Sequence, residues 1–151
     1  MLKRLLIVLC FVLLLDQASK AAVLRLMQRD ESIPIISDFV KLTLVQNSGA
    51  AFGMLSGNNV PLILTTLLAA AAVVFLIFRS RKEGSQLSFP LVLVLGGALG
   101  NLVDRVRLGE VVDFVDMGWK LHRWPVFNVA DIAITAGVVL FCYHSIFARK
   151  S

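Results

Sequence analysis

The sequence predicts an all-α membrane protein of four transmembrane helices with a small extracytoplasmic β element. Three observations predict it. Of 151 residues, 58% are hydrophobic and only 17% charged, and mean hydropathy is +0.82; soluble domains carry roughly 45–50% apolar and about 25% charged residues. Four apolar runs, at about 5–26, 60–78, 88–106 and 126–147, are each long enough to cross a hydrocarbon core of ~30 Å. The connections between them hold most of the polar residues. A chain this short has room for one domain, 1–151.

The formal net charge is +5. Its basic residues cluster beside the apolar runs, which points to orientation in a bilayer. No basic–aromatic stripe is present, and no nucleic-acid partner is expected. Cys10 and Cys142 fall inside apolar runs without metal-ligand spacing and read as small packing residues. His122 and His144 are not spaced as a metal pair, so neither metal nor cofactor is expected.

The first run begins after Lys3-Arg4 and is read as one helix from Leu5 to Leu26, about 33 Å long at ~1.5 Å per residue. A cleaved secretory signal is disfavoured, because Ser19-Lys20-Ala21 is a poor cleavage site and the apolar pattern resumes at Ala21. Asp16 and Lys20 interrupt the helix at an i, i+4 spacing. They form either a self-neutralising pair that makes insertion tolerable or the polar wall of a site.

Residues 27–59 form a polar connection. Val40-Lys41-Leu42-Thr43-Leu44 alternates as a half-exposed strand does. Gln46-Asn47-Ser48-Gly49-Ala50-Ala51-Phe52-Gly53 reads either as a turn or as backbone that a ligand approaches closely. The second run is uncharged, with Asn59 as a candidate cap and Pro61 in the first turn. The third has Ser88 as a candidate cap, Pro90 in the first turn, and Gly96 and Gly100 as a small-xxx-small pair. Asn101, Asp104 and Arg105 share a face at its end; the last two could simply mark the water boundary. A second polar connection, with Trp119 and Trp124 suited to an interfacial belt, leads to the fourth run.

Lys3-Arg4, Arg79-Ser80-Arg81-Lys82 and Arg149-Lys150 place both termini in the cytoplasm by the positive-inside rule. Asp16, Lys20, Asn47, Asn101, Arg105, Asp113, Asn128 and Asp131 then all lie toward the outer face. Asn128 and Asp131, three apart, share one side of a helix beginning there. A carboxylate at the threshold of a lipid-buried helix is costly unless used or paired. Asp113 and Asp131 are therefore expected to meet at the membrane surface and activate a water.

Asp16-Gln17-Ala18-Ser19-Lys20, Asn47-Ser48-Gly49-Ala50-Ala51-Phe52, Gly96 to Arg105, Val112-Asp113-Phe114 and Phe127-Asn128-Val129-Ala130-Asp131 together resemble the motif set of the bacterial lipoprotein signal peptidases, also called signal peptidase II. The likeness covers nearly the whole chain, with the motifs in order. Ile132 is bulkier than the residue expected after the last aspartate. The resemblance implies an aspartyl endopeptidase of the bacterial inner membrane. Such an enzyme removes the signal peptide from diacylglyceryl-modified prolipoproteins, cutting just before the lipidated cysteine. It implies Asp113 and Asp131 as the catalytic pair. Asp16, Lys20, Asn47, Gly49, Asn101, Arg105 and Asn128 would bind substrate or support the pair. Lipid-modified precursors and membrane phospholipid are the implied partners, and the segment from Gly49 to Phe52 a flexible wall over the site. Two other readings use the same residues. A small proton-coupled carrier would employ the acids as a relay, but the chain shows no internal repeat of the kind carriers often have. A non-enzymatic scaffold would leave the polar cluster as an unexplained cost.

Overall fold

The computed structural model describes residues 2–49, 59–82 and 87–147, with residues 81 and 82 described by backbone alone. Helices α1 (Leu2–Leu26), α2 (Asn59–Lys82), α3 (Ser88–Leu108) and α4 (Val129–Phe147) are each long and apolar enough to cross a membrane. Their outward faces carry Ile7, Phe11, Leu14, Leu68, Phe75 and Val139, all exposed. Helices apolar on the outside as well as at their contacts belong in lipid. Cys10 and Cys142 are also exposed rather than packed, correcting their reading as interior residues: an apolar run that faces lipid gives no clue to which of its sides is inward.

α3 is the central helix and packs against α1, α2 and α4. Its glycines allow this. A Cβ on Gly96 would meet Val12 of α1, and one on Gly97 would strike the Ala130 carbonyl of α4. The apolar half of the bundle packs Leu5, Ala70, Ile77, Leu91, Val92 and Leu95 together. Ser88 does not cap α3; its hydroxyl bonds Ser80 Oγ at 2.9 Å, and the residue before the helix makes no side-chain cap bond.

At the other end of the bundle the two connections combine into one antiparallel sheet, β1 (Ser32–Ile36), β2 (Val40–Asn47), β3 (Val111–Trp119) and β4 (His122–Arg123), in that order. The strand expected at Val40–Leu44 is thus one of four and runs further. Gly109, at φ 77°, ends α3 in the left-handed conformation, its N–H bonded to the Arg105 carbonyl, and turns the chain into β3. Val112 and Phe114 point down into a second core with Val23, Met27 and Leu44. The alternation of a strand therefore turns Asp113 to the opposite face.

α4 starts at Val129, not at Val126. Phe127 is still extended and bridges β3, its N–H bonding the Val115 carbonyl at 3.0 Å and its own carbonyl accepting from Val115 N at 2.7 Å. This stitch brings the start of α4 beside Asp113.

Candidate active site

Asp113 projects from β3 and is 3% exposed. In the β2–β3 register Val45 faces Asp113 and Asn47 faces Val111, so Asn47 and Asp113 are diagonal neighbours on one face. Asn47 Nδ2 donates to Asp113 Oδ2 at 3.0 Å, and Asn47 Oδ1 in turn accepts from Gly49 N at 3.0 Å. The other carboxylate oxygen accepts from Asn128 Nδ2 at 2.6 Å. Burial pushes the Asp113 carboxyl up to about 6; the Asn47 hydrogen bond opposes this, the neighbouring Asp131 charge adds to it, and Asn128 and Lys20 oppose it.

Asp131 is placed by a reciprocal cap. Asn128 is the residue before α4, and its Oδ1 accepts from Asp131 N at 2.9 Å while Asp131 Oδ2 accepts from Asn128 N at 3.2 Å. This is a capping box with asparagine and aspartate in the two roles. Asn128 therefore stands outside the helix that the spacing placed it on, and the same spacing of three serves the cap. The second oxygen of Asp131 accepts from Asn101 Nδ2 at 2.8 Å.

Asn101 joins the two halves. Its Oδ1 accepts from Asn128 Nδ2 at 3.1 Å and from Lys20 Nζ at 2.9 Å. Each carboxylate is thus gripped by an amide side chain, and the two amides bond each other. Asp113, Asp131, Asn47, Gly49, Asn101 and Arg105 line one cavity of about 250 Å³, with Trp124 to Phe127 along another side. Arg105 reaches the Asn101 carbonyl at 3.5 Å and the Gly49 carbonyl at 3.4 Å, while its buried Nε has no partner among the described residues. An apolar groove along α4, lined by Phe127, Ile132, Thr135, Ala136 and Val139, opens at Asp131.

Beneath the cavity Lys20 lies 2.8 Å from Asp16 Oδ2 and 2.8 Å from Asp104 Oδ2, and all three residues are 3% exposed or less. Asp16 Oδ1 accepts from the Ala130 amide at 2.9 Å, and Asp104 Oδ2 from the Val112 amide at 3.2 Å. Gln17 Nε2 spans Asp16 and Asp104, at 3.1 and 3.0 Å. Asp16 and Lys20 line no part of the cavity among the described residues.

The structure gathers all nine sequence-selected residues at one end of the bundle. It adds Asp104 and Gln17, which the sequence argument left aside. Asp104 carried a usable signal: it lies three residues beyond Asn101, on the same face of the third run. Of the segment from Gly49 to Phe52, everything after Gly49 lies outside the described residues.

The family model described as Signal peptidase (SPase) II matches residues 8–147. A lipoprotein signal peptidase of Desulforapulum autotrophicum is 42% identical, covering 97% of this chain and 93% of that protein. One of Geobacter metallireducens is 44% identical, covering 85% and 81%. Two solved bacterial membrane enzymes share the fold. One has a TM-score of 0.88 at 31% identity over 99% of this chain and 90% of that one; the other, 0.80 at 30% over 96% and 94%.

Proposed function

The chain belongs to the signal peptidase II family and is a membrane-embedded multi-pass protease, and on that premise we propose that Asp113 and Asp131 form the aspartyl dyad that cleaves lipidated prolipoproteins just before the modified cysteine. The observation that carries this reading is the shared cavity, where two acids distant in sequence face one space, each held by a neutral amide donor.

Amide hydrolysis needs a nucleophile and a proton for the leaving nitrogen. Neighbouring carboxylates do not both ionise cheaply, so the pair shares a proton. The charged member takes a proton from water, whose oxygen attacks the scissile carbonyl. The protonated member polarises that carbonyl, and a proton then passes to the leaving amine as the C–N bond breaks. The titration belongs to the pair, so neither role is tied to one residue. Asn101, Asn128 and Asn47 orient the carboxylates. Arg105, with donors to spare, holds substrate backbone.

The sheet and the site lie at the end of the bundle away from Leu2 and Phe147. With the termini cytoplasmic by the distribution of Lys and Arg, the site faces the extracytoplasmic side of the bacterial inner membrane. A signal helix lies in the bilayer with its lipid in the outer leaflet, so the bond to be cut reaches the site laterally from lipid, where phospholipid is its competitor. Purified protein should release the peptide from a diacylglyceryl-modified precursor and leave the unmodified one whole. Asp113→Asn and Asp131→Asn should each abolish release while still inserting; parental turnover in either defeats the dyad.

A further inference from the structure

Each of the two acids follows directly on a residue whose backbone N–H is held by a buried carboxylate. Val112 N, before Asp113, donates to Asp104; Ala130 N, before Asp131, donates to Asp16. One ammonium joins those two carboxylates, and its third close partner is Asn101, the amide that grips Asp131. We propose that Asp16, Lys20 and Asp104 form a clasp that sets the separation of the Asp113 and Asp131 carboxylates, as positioning residues that never touch substrate. The inference rests on the dyad reading above.

Three features support it. The clasp gathers α1, α3, β3 and α4, the four segments that carry the groups around the two acids. All three ions are out of reach of water, so small displacements are not relaxed by solvent. Stability does not account for them: replacing a buried ionic cluster by apolar groups of the same shape is often neutral or stabilising, and the best-attested use of such clusters is fixing register. Gly100 is part of the device, since a Cβ there would lie 2.5 Å from Asp16 Oδ2.

The test measures kcat, KM and thermal midpoint of the full chain in detergent with a lipidated precursor. The variants are Asp104→Asn, Lys20→Met, and the triple Asp16→Asn/Lys20→Met/Asp104→Asn, with Asp113→Asn and Asp131→Asn alongside. Asp104→Asn is the mildest, because it keeps an acceptor for the Val112 amide. A slipped dyad should cost ~10-fold or more in kcat with KM within about twofold. In the triple, with no stranded charge, the midpoint should return toward the parent while kcat stays low. The clasp is overturned if kcat recovers with the midpoint, if a destabilised single variant keeps parental kcat, or if the loss falls on KM. Should Lys20→Met and the triple both fail to fold, Asp104→Asn decides: parental kcat sinks the proposal. Turnover by Asp113→Asn or Asp131→Asn removes the dyad itself; inert dyad variants beside fully active clasp variants remove the clasp alone.

Discussion

Two ionic clusters link separate segments of this protein, and they differ in how far they lie from water. In the bundle, Lys20 meets Asp16 and Asp104 with all three side chains essentially fully buried. On the sheet, Lys41 pairs with Asp38 at 2.6 Å, and Arg123 Nε with Asp116 at 2.7 Å, where Asp38 is half exposed. The distances are alike. The Lys41 hydrogen bond holds Asp38 below the usual carboxylate range, but water and salt screen such a pair, and it contributes little to stability. Distance alone therefore says little about what an ion pair does; the surrounding medium decides whether breaking it is tolerated.

The comparison can be broken by removing one cation from each cluster. Lys20→Met should cost about 3–5 kcal/mol, because it strands two buried carboxylates, and denaturation in detergent should register it as a large fall in midpoint. Asp113→Asn tests the same rule for a buried acid beside the clasp. Its folded pKa is raised to about 6, so the parent is most stable below the unfolded value near 4 and loses stability as pH climbs through about 6. The variant should gain on the parent between pH 4 and pH 8, on top of a pH-independent cost from turning an amide N–H toward Asn47 or Asn128; a gap independent of pH would contradict the burial argument. Asn47→Ala removes a donor that favours the Asp113 carboxylate. On the dyad reading, the alkaline limb of kcat/KM, expected near pH 6 where the pair loses its shared proton, should move upward. The smallest effect belongs to Lys41→Met, which should barely move the midpoint and leave no difference in high salt.

The four membrane helices were legible because stretches of about twenty mostly apolar residues admit few alternatives. The acids were legible because a carboxylate beside such a run demands an explanation. Local hydrogen bonding was harder to read. Asn128 and Asp131 at a spacing of three suit a shared helix face and a capping box equally; the bridge from Phe127 to β3 selects the box. β3 was taken for plain connection because its aspartates and tryptophan look like water-exposed chain. Yet Val112 and Phe114 alternating with Asp113 is the pattern of a strand with one buried face. Asp104 was open to reading as a water boundary because its partner, Lys20, lies 84 positions away. Pro34 within an exposed β1 shows the same limit: only the sheet order reveals that it sits on an edge strand, where a missing N–H does no harm.

Because Asp131 closes the capping box of α4 with Asn128, winding that helix and placing this acid are one event. A ribosome delivers Asp16, Lys20, Asn101, Asp104 and Asp113 long before Asn128 and Asp131 emerge. Until that last helix is wound, Asp113 stands without Asp131 beside it.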